Sequence, residues 1–240
     1  MRVRFLSVGD RALAVEFGDR IERELSRAVL RLDRVIRAER PPGVVETVPT
    51  FRSLLVHYDP LATSRAELER VIAGLIERDA VTTEAGRLWR VPVCYEGELA
   101  PDLAEVALLT GLAAEDIPAL HGSVRYHVYM LGFLPGFPYL GDLPEALRLP
   151  RRADPRLRVP AGSIAIATAL TAIYPYESPG GWHLIGATPL RFFDPTRTPP
   201  ALLAPGDAVR FEPIGADAFA AIRSAVASGG YEAESEPLGA

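Results

Sequence analysis

The chain contains no lysine, asparagine or glutamine, so all 26 of its Lys and Arg positions are arginine. A P-loop needs a lysine at the phosphates, a Schiff-base enzyme needs a reactive lysine, and a side-chain oxyanion hole commonly uses an amide. The sequence therefore excludes a P-loop lysine, a Schiff-base lysine and an amide-built oxyanion hole on this chain.

Cysteine is also scarce, and acidic residues outnumber basic ones. The single cysteine, Cys94, excludes an internal disulfide and agrees with a reducing compartment. It has no recognisable nucleophile context, and we interpret it as a buried structural thiol. The net charge of −5 does not favour a nucleic-acid partner.

Long apolar runs are missing as well. The longest weakly charged run, residues 160–175, is shorter than the roughly 20 apolar residues of a membrane span. The N-terminal segment has charges inside its apolar stretch and lacks a cleavage pattern, so it does not resemble a signal peptide. We expect a cytoplasmic protein with no membrane partner.

Residues 1–85 have the pattern of a small α+β domain with two helices on one antiparallel sheet. Gly9 and Asp10 mark a hairpin, and an apolar stripe of helical period begins near Ile21. Ser64 with Glu67 three residues later is a capping-box signature that predicts the start of the second helix. Strands are expected over 2–8, 12–17, 44–48 and 51–58.

Residues 86–228 carry short apolar runs separated by Gly and Pro, which favour a β-barrel or sandwich. Helices are predicted near 102–110 and 114–120, with a last one around Phe219. Residues 229–240 are acidic and are expected to form a disordered tail. Strands are predicted over 87–93, 124–131, 163–168, 171–174, 182–187, 189–193 and 207–213.

Residues 132–141, GFLPGFPYLG, combine three glycines, two prolines and three aromatic residues. Proline fixes φ and glycine permits unusual backbone angles, so the segment is rigid and irregular. Two interpretations remain open, a structural corner or a preformed wall of a ligand or partner site. The candidate wall residues are Phe133, Pro135, Gly136, Phe137 and Tyr139.

Two other stretches contain candidate polar groups. In 174–186, YPYESPGGWHLIG, tight glycine turns can aim backbone N–H groups at an anion, and Glu177 or His183 can act as acid or base. A hairpin turn with an exposed glutamate is the alternative. In 149–163, LPRRADPRLRVPAGS, four arginines suit carboxylate or phosphate recognition, with a solvated loop as the alternative.

No metal motif is recognised, because His121 and His127 are six residues apart and His57 is isolated. We therefore expect no metal site. The chain also lacks GxSxG and GxGxxG motifs, so the residues alone do not name a reaction.

Several segments in order, from about residue 9 to residue 214, resemble the family of bacterial 5-oxoprolinase B subunits, also known as the kinase-inhibitor or allophanate hydrolase subunit 1 family with carboxyltransferase subdomains C and D. The two most specific motifs are GFLPGFPYLG and ESPGGW. The others are GDRALAVEFG, PPGVVETVPTFRSLLVHYDP, VPVCYEGELAPDL, PRRADPRLRVPAGSIAIA and PLRFFDP.

The resemblance implies a small α/β N-terminal domain followed by a cyclophilin-like β-barrel. It also implies a role in the ATP-driven opening of 5-oxoproline to L-glutamate, together with companion subunits A and C. ATP is then the implied cofactor, bound at a site on or shared with a partner subunit. Relatives that inhibit a sensor histidine kinase, or that belong to urea and allophanate metabolism, provide the alternative functions.

One segment departs from the family pattern. Where relatives read like GIAGGQTGIYP, this chain has AIATALTAIYP over 165–175, so Leu170 stands at the glutamine position. Any ligand contact made by that amide is absent here.

Residue type and motif position together suggest a candidate site. Glu177 and His183 are the candidate catalytic residues, as bases for an attacking water. The candidate ligand-binding residues are Arg152, Arg158, Gly162, Ser163, Thr171, Tyr174, Ser178, Gly180 and Gly181.

Overall fold

The structure, a computed structural model, describes residues 3–77 and 86–238. These residues form two compact units, one on each side of the gap. The predicted domain boundary at residue 85 lies outside the described residues. Each unit has its own buried apolar core.

The first unit is an antiparallel sheet with two helices. Its strands run in the spatial order β1-β2-β4-β3. Buried strand residues such as Leu13 and Val56 share a core with Leu32 and Ile36 of the first helix. The elements in chain order are β1 (Arg4–Val8), β2 (Ala12–Glu16), α1 (Arg23–Glu39), β3 (Val44–Pro49), β4 (Ser53–Tyr58) and α2 (Arg65–Glu77).

The start of α2 follows from its cap. The backbone N–H of Glu67 donates to the hydroxyl of Ser64 over 3.2 Å, and the N–H of Leu68 donates to the Ser64 carbonyl over 2.9 Å. The side-chain oxygen thus satisfies a donor that has no partner within the helix. The capping signature predicted this helix start correctly.

The second unit is built around a closed mixed sheet. The elements in chain order are β5 (Arg87–Cys94), α3 (Leu103–Thr110), α4 (Asp116–Gly122), β6 (Tyr126–Leu131), β7 (Pro138–Gly141), β8 (Arg156–Val159), β9 (Ser163–Ala167), β10 (Leu170–Ile173), β11 (Ser178–Gly180), β12 (His183–Ala187), β13 (Ala208–Ile214), α5 (Ala216–Ala227) and β14 (Ser235–Pro237). Two short 3-10 turns lie at Gly97–Leu99 and Glu145–Leu147. With helices and sheets in both units, the described residues confirm the predicted α+β class.

Seven of these strands form a barrel in the order β12-β9-β10-β7-β6-β13-β5. The barrel closes where Ala187 of β12 pairs with Cys94 of β5. Only the β13–β5 pair is parallel among the seven. Strands β8 and β11 form a separate two-stranded ribbon.

The barrel interior is apolar, as the short aliphatic strands predict. All five residues of β9 and all four of β10 are buried. Val91, Ile164, Ile173 and Phe211 belong to one continuous core. Cys94 is buried as expected, and burial raises the pKa of its thiol.

The structure corrects three expectations from the sequence. Residues 189–193 do not form a strand, and only Phe193 makes an isolated bridge, to Ala201. The last four residues of GFLPGFPYLG form β7, because Pro138 stands at the strand start, where its missing N–H is tolerated. The segment expected to be a disordered tail instead forms β14 over 235–237.

Strand β14 pairs with the first half of β5, from Arg87 to Trp89. Strand β12 meets β5 only at the far end, so this part of the β5 edge would otherwise be unpaired. Arg87 also donates from Nε to the hydroxyl of Ser235 over 2.9 Å. None of the helices in the described ranges combines the length and apolar character that a membrane crossing requires.

Candidate functional site

Five aromatic side chains from the two glycine- and proline-rich motifs pack against one another in the second unit. We call Phe133, Phe137, Tyr139, Tyr174 and Trp182 the aromatic cluster. Phe137 is its centre, with ring centroids 5.3 Å from Phe133, 5.0 Å from Tyr139 and 5.1 Å from Tyr174. These edge-to-face contacts bring the predicted wall and the ESPGGW segment into a single structure.

The cluster has a buried side and an exposed edge. Phe137 and Tyr174 are almost fully buried, whereas Phe133 is 62% exposed. Phe133 also has a φ of 71°, a left-handed backbone angle that a bulky residue rarely adopts. The protein therefore holds a large apolar ring in solvent at a strained backbone position.

A cation stands beside the cluster. The guanidinium carbon of Arg151 lies 6.0 Å from the ring centroid of Trp182, within cation–π range. Burial raises the pKa of Tyr139 and raises that of Tyr174 to about 12, and the Arg151 charge partly offsets both effects. The cluster thus offers phenol groups and one cation next to apolar faces.

The β8–β11 ribbon holds the pair Arg158 and Glu177. Their charged groups are 3.1 Å apart, with side chains 82% and 55% exposed. Ser178 pairs with Val159 in the same ribbon, and its hydroxyl donates to the Pro179 carbonyl over 3.3 Å. The predicted ligand-binding residue Arg158 and the predicted base Glu177 are therefore neighbours, and both side chains are accessible to solvent.

The carboxylate of Asp102 organises the polar side of this region. It lies just before α3, is nearly fully buried, and accepts both Nη atoms of Arg156 at 2.9 and 2.5 Å. It also accepts the backbone N–H of Leu184 at 2.6 Å and, more weakly, Nη1 of Arg152 at 3.3 Å. These bonds connect α3 and the start of β12 to the arginine-rich segment.

Arg152 and His183 lie beside this carboxylate. Arg152 forms an ion pair with Glu105, and its backbone N–H donates to the Gly181 carbonyl over 2.8 Å. His183 is buried and donates from Nε2 to the Pro150 carbonyl over 3.1 Å, while its Nδ1 is 3.8 Å from Glu105 Oε2. The structure thus brings Arg152, Gly181 and His183 together.

Gly162 and Ser163 lie on a different feature, a cavity of about 620 Å³ in the second unit. Gly162 has a φ of 84°, and a Cβ there would lie 2.5 Å from the Thr188 carbonyl oxygen. Only glycine fits this turn without strain. The cavity is lined mainly by apolar side chains, and its charged lining residues are Glu98, Arg191, Asp194 and Arg223.

The remaining predicted glycines and Pro135 have structural positions. Gly180 lies directly against the Tyr174 hydroxyl, where a Cβ would clash. Pro135 and Gly136 form the turn closed by the bond from the Phe137 N–H to the Leu134 carbonyl, 3.0 Å long.

Thr171, one of the predicted ligand-binding residues, is completely buried in the barrel core, and its ligand contact stays a prediction. Its hydroxyl donates to the Ala165 carbonyl over 3.1 Å and lies 3.1 Å from Nε2 of His121. Period-2 alternation on β10 directs this side chain inward, where it satisfies a buried histidine.

The chain matches the model of the carboxyltransferase domain, subdomain C and D, over residues 3–203. It belongs to this family. The predicted resemblance is confirmed by two curated relatives, each named as the B subunit of 5-oxoprolinase. The Bacillus subtilis protein is 38% identical over 88% of this chain and 92% of its own length. The Escherichia coli O157:H7 protein is 43% identical over 88% and 96%.

Solved structures share the fold. TTHA0988 is 43% identical, with a TM-score of 0.75. The match covers 85% of this chain but only 40% of the longer TTHA0988 chain. The urea amidolyase of K. lactis has a TM-score of 0.80 over 98% of this chain, at 20% identity and 16% of its own length. That second likeness is evidence for the fold alone.

Sequence reasoning about this carboxyltransferase-family chain did not single out Asp102 or Glu105, and it considered Arg151 only as one of the four arginines of residues 149–163. Asp102 stands at the N-cap position of α3, where a carboxylate commonly caps a helix, but its side chain makes no cap bond here. Its partner Arg156 is 54 positions away, and no spacing pattern connects them. The usable signal was the run of four arginines in a chain with net negative charge, since buried arginines require carboxylate partners.

Proposed function

We propose that this chain is the B subunit of an ATP-dependent 5-oxoprolinase complex that opens 5-oxoproline to L-glutamate together with companion subunits A and C. The observation that carries the proposal is the 38–43% identity to two proteins named as 5-oxoprolinase B subunits over more than nine-tenths of their length. The word subunit in those names supports activity within a complex.

The architecture proposed with this function is a small N-terminal α/β domain followed by a cyclophilin-like barrel domain. Two compact units with a closed sheet in the second support it. The cytoplasm is the proposed location, since 5-oxoproline hydrolysis consumes ATP.

The chemistry requires activation of a poor electrophile. The lactam oxygen can take the γ-phosphoryl group of ATP with release of ADP, after which water attacks the carbon and the ring C–N bond breaks with a proton passing to the nitrogen. A second water then hydrolyses the resulting acyl phosphate to the glutamate carboxylate and inorganic phosphate. The site must hold a carboxylate and phosphate charge and position a base for the water. Because this chain has no lysine, arginine must supply any permanently cationic side-chain contact that this chain itself makes.

The aromatic cluster with Arg151 and the ribbon pair is the proposed ligand-facing surface. The Arg151 guanidinium suits the substrate carboxylate, and the faces and edges of Tyr139 and Phe133 suit the apolar side of a five-membered ring. Glu177 is the proposed base, because its carboxylate is exposed and its ion pair is with Arg158, whose side chain is also exposed. ATP is proposed to bind on a partner subunit or at a shared site.

A carboxyltransferase-type role in urea metabolism is the second candidate. The family description and a 25% identity to the Lachancea kluyveri urea amidolyase favour it. This chain covers only 13% of that protein, however, so the match extends to one part of a larger enzyme. Inhibition of a sensor histidine kinase is the remaining alternative, and the exposed Phe133 is the feature that suits it.

Reconstitution tests the proposal. The chain is co-expressed with its candidate subunits A and C, and ADP release is measured with and without 5-oxoproline. We expect ADP and glutamate to form in equal amounts only when all three chains and 5-oxoproline are present. ADP release stimulated by urea instead of 5-oxoproline would support the second candidate, and a complete set without either activity would contradict both.

A further inference from the structure

Asp102, Glu105 and His183 direct one imidazole nitrogen and two carboxylates toward a common point in the second unit. Their ligand atoms all lie within 4.8 Å of one another. Two hydrogen bonds connect α3 to β12. The backbone N–H of Leu184 donates to Asp102 Oδ2 over 2.6 Å, and the backbone N–H of Asp102 donates to the Leu184 carbonyl over 3.0 Å. The three side chains therefore come from two fixed points, the start of α3 and the start of β12.

His183 is held in the tautomer that a metal ion requires. Its side chain is only 4% exposed, and Nε2 donates to the Pro150 carbonyl, which leaves a lone pair on Nδ1 in the neutral ring. Nδ1 is buried and has no hydrogen-bond partner among the described residues. A histidine fixed by a backbone carbonyl through its other nitrogen is the usual arrangement at metal sites.

The lone pair faces an acceptor, not a donor. Glu105 Oε2 is 3.8 Å from His183 Nδ1, and neither atom of this pair carries a proton when the ring is neutral and the carboxylate ionised. A cation placed between these two acceptors would be bound by both. Leaving a buried polar atom unsatisfied is unfavourable, so the arrangement suits a ligand that accepts both lone pairs.

Arg152 supplies the positive charge at this point, but it fits poorly. Its Nη1 contacts Glu105 and lies 3.3 Å from Asp102 Oδ1, while its Nε is buried without a partner in the described residues. If Arg152 swings away, Asp102 keeps both bonds to Arg156 and the bond from Leu184. One lone pair of Asp102 Oδ1 then becomes available.

We propose that Asp102, Glu105 and His183 bind a divalent transition-metal ion, represented by Zn²⁺, and that Arg152 competes with the ion for the two carboxylates. One imidazole nitrogen with carboxylate oxygens is a donor set that Zn²⁺ uses. Bonds of about 2.0–2.2 Å require ligand atoms about 3–3.5 Å apart. Glu105, with its side chain 47% exposed, can close onto the ion. The proposal is independent of the 5-oxoprolinase function.

Isothermal titration of the chelator-treated full-length chain with ZnCl₂ tests the site. We expect one ion per chain. His183→Gln and Glu105→Gln should each weaken binding by at least about tenfold, a loss typical of disrupted metal sites. His57→Gln, the same change in the other unit, should leave the affinity unchanged. Glu105 is half-exposed on α3, so its variant keeps the test available if the change at His183 prevents folding.

The Zn²⁺ affinity of the Arg152→Met variant separates a metal site from a purely structural cluster, because only a metal site would bind Zn²⁺ more tightly after this change. It removes the guanidinium and keeps an aliphatic stem, so Zn²⁺ should bind at least about threefold more tightly once the competing charge is gone. Absence of a stoichiometric site would overturn the proposal. So would wild-type affinity in the His183 and Glu105 variants, or an unchanged or weaker affinity after Arg152→Met.

Discussion

Tyr95 and His121 form a buried hydrogen bond of 2.8 Å between the phenol oxygen and Nδ1 inside the barrel. The other ring nitrogen, Nε2, lies 3.1 Å from the Thr171 hydroxyl, which in turn donates to the Ala165 carbonyl. Since the Thr171 proton goes to the carbonyl, Nε2 must donate to Thr171 and the Tyr95 O–H must donate to Nδ1. Every polar atom of this chain of bonds is satisfied only when His121 is neutral.

Stability of the second unit should therefore decrease in mild acid. Burial lowers the pKa of His121 to about 3, so the folded protein excludes a proton that the unfolded chain binds below its ordinary pKa of about 6.5. Stability is complete above about pH 6.5 and is lost as the pH falls toward 3. Between about pH 7 and pH 5.5 the loss from this group is about 1.3 kcal/mol.

Urea unfolding followed by tryptophan fluorescence measures this loss, because both tryptophans, Trp89 and Trp182, lie in the second unit. His121→Gln should be less stable at neutral pH but lose about 1.3 kcal/mol less than the wild type between the two pH values. His127→Gln, the same change at another histidine of the second unit, is the matched control. An identical pH dependence in the His121 variant would contradict the neutral hydrogen-bond chain.

A second prediction compares a buried ion pair with an exposed one. Asp102→Asn disrupts a carboxylate with side chain 4% exposed that accepts two bonds from Arg156, so we expect a loss of about 3 kcal/mol in unfolding free energy. Glu177→Gln disrupts the exposed pair with Arg158 and should cost less than about 0.5 kcal/mol. Equal effects on the urea midpoint would show that burial does not decide the strength of these pairs.

Glu177→Gln separates stability from function in the assembled complex. If Glu177 is the base, turnover of 5-oxoproline should fall on the order of 100-fold while the urea midpoint is nearly unchanged. The Arg158→Gln variant breaks the same ion pair but keeps the carboxylate, so its loss of turnover measures the contribution of the Arg158 cation to ligand binding and not that of the base. Wild-type turnover in Glu177→Gln would rule out its assignment as the base.

The hairpin between β9 and β10 predicts a stabilising substitution. Thr168 has a φ of 54°, which is costly for a β-branched residue. Relief of the backbone strain in Thr168→Gly should raise the unfolding free energy by about 1 kcal/mol. Loss of the hydrogen bond from the Thr168 hydroxyl to the Ala167 carbonyl offsets part of this gain. Ala169→Gly, at an ordinary φ, should instead be destabilising. A lower melting temperature for Thr168→Gly would refute the strain argument.

Local patterns predicted most of the regular elements. The helical stripe from Ile21 and the cap at Ser64 indicated α1 and α2 to within a few residues, because both signals are local in the chain. Strands β8 and β11 were missed, since each is short and rich in Pro, Gly or Arg. These two strands form because they pair with each other. Since the partners are some 20 residues apart in the chain, neither segment alone has a sequence pattern that predicts the pairing.

The polar part of the site was harder to predict than its aromatic part. Phe137 and Tyr174 lie in the two glycine- and proline-rich motifs that the sequence singles out, and their rings pack against each other in the structure. The bond between Asp102 and Arg156 depends on how α3 lies against β12, which no periodicity encodes. Thr171 was placed in the site by its motif, but the direction of its side chain is set by the register of β10 in the barrel.

The last prediction concerns Phe133, whose ring is exposed and whose backbone is left-handed. Phe133→Gly removes the backbone strain but also the ring contact with Phe137, so the two effects oppose each other and stability should change by less than about 1 kcal/mol. If the ring contacts a partner subunit or ligand, co-purification with subunits A and C or turnover should nevertheless fall at least about tenfold.

Thr168→Gly is the matched control for Phe133→Gly, because it relieves the same kind of backbone angle at a residue that is not part of the aromatic cluster, and it should leave assembly and turnover unchanged. Strain that persists at an exposed position is usually retained for function, and here the ring itself would be the functional group. Normal assembly and turnover in Phe133→Gly, together with increased stability, would mean that the motif is a structural corner and that the ligand-facing surface lies elsewhere on the second unit.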